Sequence, residues 1–153
     1  MEDHLLCFFD GACEPVNPKG NLGIGAIVLN KHKEPILQYS KYIKAEELSF
    51  NTTNNIAEYL GLFAVLQFLL VEKLNHEKIV VCGDSKLVIM QMKGEWKANG
   101  GAYIPYLEKA RERASLFTNI DYRWIPREQN SAADKLSKTA MIENGCEFRI
   151  QKP

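Results

Sequence analysis

The sequence has little of what soft-metal sites and disulfide frameworks are built from. It holds three histidines in 153 residues, and its four cysteines include no C-x-x-C pair, so a zinc cluster is not expected. Cys7 and Cys82 sit inside apolar runs and read as small buried hydrophobes, while the state of Cys146, thiol or disulfide, is left open. No apolar stretch reaches the roughly 18–20 residues a membrane helix needs. The richest, Leu60 to Val71, is interrupted by Gln67, so no membrane partner is expected. Met1-Glu2-Asp3-His4 offers no basic segment ahead of its short apolar run. A secretory signal is therefore not expected, and a cytoplasmic location with reduced thiols is. Surplus charge is lacking too: 19 Lys and Arg face 19 Asp and Glu. Neutrality argues, at first sight, against a nucleic-acid partner, because backbone binding rests on basic side chains neutralising phosphates.

What is present is the composition of an ordinary globular domain, 46% hydrophobic and 25% charged. With no repeat, low-complexity tract or linker, residues 1–153 read as one α/β domain with 143–153 as a tail. No protein partner is implied, and a monomer is expected. Leu5 to Phe9 reads as a buried strand closed by Asp10-Gly11, and 14–23 as a turn rich in Pro and Gly. Two further strands, 24–29 and 36–43, complete an antiparallel meander. A helix over 56–73 is apolar nearly all round, hence buried. A strand at 78–82, helices at 86–92 and 103–117, a strand at 119–125 and a helix at 131–143 follow.

Asp10, Glu58, Asp84 and Asp134 all stand at element boundaries, and each has a local reading. Asp10-Gly11 suits a turn and Asp84 a helix N-cap, while Asn55-x-x-Glu58 and Ser131-x-x-Asp134 suit capping boxes. Topology says more. If the first strand runs up, a meander brings the third strand up as well, so the following helix starts at the top with Glu58 in its first turn. The fourth and fifth strands, parallel to the first across helical connections, end at the same edge with Asp84 and then Asp134. All four carboxylates thus fall at the carboxyl edge of one sheet, where α/β proteins bind ligands. Unpaired carboxylates in one cleft repel each other and call for a counter-cation. Oxygen donors without Cys or His select a hard ion, Mg²⁺ or Mn²⁺. A carboxylate shared by two such ions suits in-line displacement at phosphorus, so the residues predict a metal-dependent phosphodiester hydrolase.

Four motifs then occur in order: Asp10-Gly11-Ala12-Cys13, Thr52-Thr53-Asn54-Asn55-Ile56-Ala57-Glu58, Gly83-Asp84-Ser85, and Trp124-Ile125-Pro126-Arg127-Glu128-Gln129-Asn130 leading to Asp134. In this pattern the chain resembles type 1 ribonuclease H over residues 10 to 134. The resemblance implies a ribonuclease H-like α/β fold, with a mixed five-stranded sheet in order 3-2-1-4-5, strand 2 antiparallel, and flanking helices. It implies hydrolysis of the RNA strand of an RNA–DNA hybrid to 5′-phosphate and 3′-hydroxyl ends, with two Mg²⁺ ions and Mn²⁺ as a substitute. In that scheme Asp10 bridges the ions, Asp134 completes the site that activates water, and Glu58 and Asp84 serve the leaving 3′-oxygen. Cys13, Asn17, Asn54 and Asn55 stand where the family contacts the hybrid, and asparagine can both donate to and accept from a 2′-hydroxyl. Their local alternative is turn and cap chemistry. Thr53 matches a threonine that holds a DNA-strand phosphate, with helix capping as its alternative.

Departures from the family pattern matter as well. The glycine- and histidine-rich loop of many bacterial members is absent, and the short W-I-P-R-E-Q-N form resembles archaeal-type members and retroelement polymerase domains. Arg127 has two readings, a phosphate-contacting substitute for the loop histidine or a surface arginine. Lys86 replaces a common glutamine. The basic protrusion is reduced to Lys93, Lys97 and Trp96, the last either stacking on the substrate or packing in the core. This reduction favours salt-sensitive binding and leaves a broadened substrate, double-stranded RNA, as an alternative. A catalytically silent hybrid-binding module is a second alternative, opposed by four intact carboxylates. Met1 and the complete set of motifs favour a free-standing protein over a detached polymerase domain. With the four carboxylates set aside, 19 basic residues face 15 acidic ones. Neutrality then implies that bound cations form part of the phosphate-binding surface.

Overall fold

The computed structural model describes residues 3–98 and 100–149. The first two residues of the expected domain, Asn99 and the last four residues of the expected tail lie outside the described residues. The strands are β1 (Leu5–Glu14), β2 (Asn21–Leu29), β3 (Pro35–Ile43), β4 (Lys78–Gly83) and β5 (Asn119–Trp124). The helices are α1 (Asn54–Val71), α2 (Lys86–Met92), α3 (Ile104–Ala114) and α4 (Ser131–Glu143). Short 3-10 turns at Ala45–Leu48 and Arg127–Gln129 went unread in the sequence. The sheet order is β3-β2-β1-β4-β5. β2 is antiparallel to both of its neighbours, and β1, β4 and β5 are parallel. This is the arrangement expected from the sequence.

One boundary differs, and the difference builds the site. Asp10-Gly11 suggests a turn, yet β1 runs on to Glu14 because β2 pairs with it throughout, Asp10 facing Gly25 and Glu14 facing Asn21. β4 pairs with β1 only as far as Phe9 opposite Gly83. From Asp10 onward β1 therefore has a partner on one side alone. Its other edge is open, and Asp10 is the first residue beyond the end of β4.

Alternation along β1 and β2 assigns the two faces. Leu5, Cys7 and Phe9, with Ala26 and Val28, pack in the main core with Tyr59, Leu62, Val65, Leu66 and Leu69 of α1. Farther along the same face, Cys13 and Leu22 pack with Ile56 and Ala57. The opposite face carries Asp10, Gly23 and Gly25. A Cβ on Gly25 would collide with the Ala133 carbonyl, and one on Gly23 with the Ser137 carbonyl. Glycine at these positions lets α4 lie directly on β2, which places Asp134, in its first turn, over Asp10.

By length and composition α1 would suit a membrane span, contrary to the expectation that no stretch reaches that length. Here its buried face, including Tyr59, Leu62, Val65, Leu66 and Leu69, is taken up by the sheet and α3, while Val71 is exposed. The Tyr122 hydroxyl is buried in this layer without a hydrogen-bond partner among the described residues, but other polar groups there are paired. The Tyr59 hydroxyl donates to Gln91 Oε1 at 2.5 Å, and Gln91 Nε2 donates to the Tyr103 hydroxyl at 3.1 Å. Cys7, Cys13 and Cys82 are buried, and all four cysteines are free thiols, which resolves Cys146 as well.

Candidate active site

The local readings of the carboxylates fail one by one. The N-cap of α1 is Thr53, whose Oγ1 accepts from the Ile56 N–H at 3.1 Å. The N-cap of α2 is Ser85, not Asp84, and α4 begins after Asn130 with no side-chain cap bond. Asp10 lies within a strand instead of a turn. None of the four carboxylates is spent on capping.

Instead they converge. Carboxylate oxygens of Asp10, Glu58 and Asp84 lie within 4.8 Å of one another. Asp10 and Glu58 are buried, at 6% and 5% exposure. Asp134 stands beside Asp10 and is itself held by Lys138, whose Nζ lies 3.2 Å from Asp134 Oδ1. The four line a cleft of about 440 Å³ together with the β1 residues from Gly11 to Glu14, Asn17, Asn54, Ser85, Arg127, Lys138 and Arg149.

Neighbouring groups fix each carboxylate. Asn54 Nδ2 donates to Glu58 Oε1 at 2.5 Å from one helical turn back. The Asn54 N–H, one of the unpaired donors at a helix start, is taken by Asn17 Oδ1 at 3.1 Å. The loop carrying Asn17 is tied down by Thr52, whose Oγ1 donates to the Gly20 carbonyl at 2.6 Å and whose carbonyl accepts from Lys19 N–H. Asn130, 1% exposed, donates to the Phe9 carbonyl at 2.9 Å and to Asp84 Oδ2 at 3.4 Å. Trp124 Nε1 donates to the Asp84 carbonyl at 3.1 Å.

Crowding and burial show in the acidities. Burial, then the nearby Asp84 charge, pushes the Asp10 carboxyl up to about 8 despite the Gly11 N–H that favours ionisation. Burial likewise pushes Glu58 up to about 8, with Ser85 opposing and Asp84 adding. Asp84 is raised by burial, with Asn130 and Arg127 pulling it back. Such a cluster cannot be fully ionised near neutrality without a positive counter-charge inside it. Oxygen-only donors at this spacing fit a hard divalent cation, with Asp10, Glu58 and Asp84 as the inner set and Asp134 beside it.

The other expected contacts divide. Asn17, Asn54 and Arg127 line the cleft. Cys13 also lines it, with its thiol buried in the core and donating to the Val16 carbonyl at 3.2 Å. Thr53 is engaged as a helix cap, and Asn55 lies outside the cleft lining. Lys86 sits over the Trp124 ring, 5.8 Å from its centroid, and Trp96 is 41% exposed away from the carboxylates. Sequence reading passed over Lys138, Asn130 and Arg149. Lys138 stands four residues after Asp134, a spacing that signals an ion pair on a helix, whereas Arg149 carries no such signal.

Comparison with known proteins agrees with this geometry. Residues 8–140 match the family model described as reverse transcriptase-like. Over 125 residues the chain is 38% identical to the bifunctional protein Rv2228c of Mycobacterium tuberculosis, covering 82% of this chain and 32% of that protein. The chain thus spans about a third of the length of these curated relatives. The N-terminal RNase H domain of Rv2228c superposes with a TM-score of 0.79 at 33% identity, covering 94% of this chain and 97% of that one. RNase H1 from the archaeon Halobacterium salinarum gives 0.78 at 28%, covering 92% and 98%. LC11-RNase H1, isolated from compost and solved in complex with an RNA/DNA hybrid, gives 0.80 at 29%, covering 92% and 98%. By its matched family model, its sheet order and these neighbours, the chain belongs to the reverse transcriptase-like family and carries the ribonuclease H fold.

Proposed function

We propose that this chain is a ribonuclease H: it cuts the RNA strand of RNA–DNA hybrids, leaving 5′-phosphate and 3′-hydroxyl ends. The observation that carries the reading is the gathering of Asp10, Glu58 and Asp84 within 4.8 Å, with Asp134 lining the same cleft. The substrate class is supported by the LC11-RNase H1 complex with an RNA/DNA hybrid. A cytoplasmic location and a monomeric state belong to the same proposal.

Asp10, Glu58, Asp84 and Asp134 would hold two Mg²⁺ ions, with Mn²⁺ as a substitute. When bound, these supply Lewis acidity and charge neutralisation at the scissile phosphate. The protein's own groups do the rest. Asn54 and Asn130 keep Glu58 and Asp84 in place, so the inner carboxylates are preorganised before substrate arrives. Lys138 holds Asp134 on the α4 side. Asn17 and Asn54 face the cleft with amide groups that can exchange hydrogen bonds with a 2′-hydroxyl, the group that distinguishes RNA from DNA. The open edge of β1 beyond Asp10 gives the cleft a floor of backbone N–H and C=O groups. Arg127 supplies positive charge at the rim for phosphate, and the exposed Trp96 supplies a stacking surface for the DNA strand.

The test is to incubate the protein with labelled RNA–DNA hybrid, duplex RNA and duplex DNA, each with Mg²⁺, with Mn²⁺ and with chelator. Cleavage of the hybrid's RNA strand that needs metal is expected. Preferential cutting of duplex RNA would replace the hybrid as substrate. Absence of metal-dependent cutting in every arm would overturn the enzyme reading.

A further inference from the structure

The segment after α4 brings Arg149 to the far end of the β1 floor. There Arg149 meets Glu14. Its backbone N–H donates to Glu14 Oε2 at 3.0 Å, and its Nε lies 3.1 Å from the same oxygen and 3.2 Å from Oε1. One Nη2 hydrogen goes to the Cys13 carbonyl, on the β1 edge that β4 leaves open. Cys146 stays close on the way, with the Asn21 amide donating toward its sulfur at 3.8 Å. The side chain of Glu14 is 12% exposed, whereas that of Arg149 is 47% exposed and lines the carboxylate cleft.

A guanidinium has five N–H donors. Glu14 and the Cys13 carbonyl engage Nε and one donor of Nη2, and among the described residues Nη1 meets no acceptor. The result is a cation fixed on one side by a carboxylate and a carbonyl, with its remaining donors unfilled at the wall of a cleft built for a polyanion. Forked donors of this kind suit phosphate oxygens better than water alone. Glu14 lies four residues along the strand from Asp10, or roughly 13 Å at the usual rise. That places Arg149 beyond the reacting phosphate, alongside neighbouring nucleotides.

We propose that Arg149 is a substrate-binding residue, holding a backbone phosphate of the strand under cleavage a few nucleotides from the cut, and that Glu14 is the residue that positions it. The inference rests on the hydrolase reading above and deepens it. The segment after α4 is then a wall of the substrate groove. Together with Arg127, which lines the same cleft, it supplies part of the grip that a full basic protrusion would otherwise provide.

The experiment compares wild type, Arg149→Ala, Arg149→Lys and Glu14→Gln. It follows steady-state hybrid cleavage and hybrid binding by fluorescence anisotropy between 50 and 200 mM salt, alongside thermal unfolding. Losing one phosphate contact lowers the slope of log affinity against log salt by about 0.9. Arg149→Ala is expected to show that change with a rise in KM of about tenfold and kcat within twofold. Arg149→Lys should keep the salt slope and recover part of the affinity. Glu14→Gln should raise KM without changing the slope. A tail contact of purely structural value predicts a lower Tm with KM and slope unchanged, and that result would overturn the proposal. A variant that does not fold is replaced by Arg149→Gln, judged by the same slope. If wild type binds hybrid without cutting it, the hydrolase reading fails while the slope still decides Arg149. If it binds no duplex, both fail.

Discussion

Asn130 and Asp84, 46 residues apart in the chain, are joined by a hydrogen bond from Nδ2 to Oδ2 at 3.4 Å, and the same amide nitrogen donates to the Phe9 carbonyl at 2.9 Å. A single buried amide thus ties the start of α4 to the end of β4 and to the residue before Asp10. Removing it frees Asp84 and leaves the Phe9 carbonyl without this donor. Asn130→Ala is expected to lower cleavage by about 10- to 100-fold, the range typical for groups that orient metal ligands. It should also cost about 1–3 kcal/mol of stability. Hybrid cleavage at saturating metal and urea unfolding check the two effects, and wild-type activity in a folded variant would contradict the positioning role.

The raised acidities of Asp10 and Glu58 carry a sign that can be measured. A carboxyl whose native pKa lies above its unfolded value binds its proton more tightly in the folded protein. Its stabilising contribution is complete below the unfolded pKa of about 4 and is lost as pH rises through the folded value. With both folded values near 8, metal-free protein should lose stability between about pH 4 and pH 8 on this account. Divalent cation added at pH 8 should restore it, because the cation binds the ionised form. Thermal unfolding across pH in chelator and in Mg²⁺ reads this directly. A Tm rising with pH in chelator, or indifferent to metal at pH 8, would count against a cation-binding cluster.

Gly11 and Gly25 set the distances from the sheet to α1 and α4. A Cβ at Gly11 would strike the backbone of Ala57 and lie 2.7 Å from the Ala57 Cβ, immediately before Glu58. One at Gly25 would strike the Ala133 carbonyl and lie 2.5 Å from the Ser137 nitrogen, near Asp134. Backbone cannot yield as a side-chain tip can, so Gly11→Ala and Gly25→Ala should each cost about 3 kcal/mol in urea unfolding. What remains folded should cut poorly, since Glu58 or Asp134 is moved. Near-wild-type stability would show that the layers have more freedom than the contacts imply.

Much of this was readable in advance because the pattern was periodic. The β-branched run at 78–82, the apolar helix after Asn55 and the helix at 131–143 each fix an element, and right-handed α/β connections then bring Glu58, Asp84 and Asp134 to one edge. Asp10-Gly11 misled because a local dipeptide signal for a turn was outweighed by nonlocal pairing with β2, which sequence windows do not see. Cys13 stood in a substrate-facing motif, but strand alternation turns its thiol into the core. The roles of Asn130 and Arg149 were hidden for a related reason. Each acts through contacts more than 40 residues away, and nothing in the neighbouring sequence announces them.

If the chain binds hybrid as proposed, the reduced protrusion offers few basic groups for the DNA strand, chiefly Lys93 and Lys97 around the exposed Trp96. Affinity for hybrid should therefore fall steeply between 50 and 200 mM salt, and Trp96→Ala should weaken binding with kcat unchanged. Anisotropy titrations of a labelled hybrid check both. Affinity that barely changes with salt would contradict an interface resting on a few phosphate contacts.

The central claim is that Asp10, the first β1 residue beyond the reach of β4, is the hub of a cation-dependent phosphodiester hydrolase. Asp10→Asn keeps the size of the side chain and removes its charge. The most direct measurement is hybrid cleavage by this variant in Mg²⁺, alongside its Tm in chelator at pH 8. The account expects cleavage to fall by at least about a thousandfold while Tm equals or exceeds that of wild type, because a buried repulsive charge has gone. Cleavage within tenfold of wild type by the folded variant would contradict it.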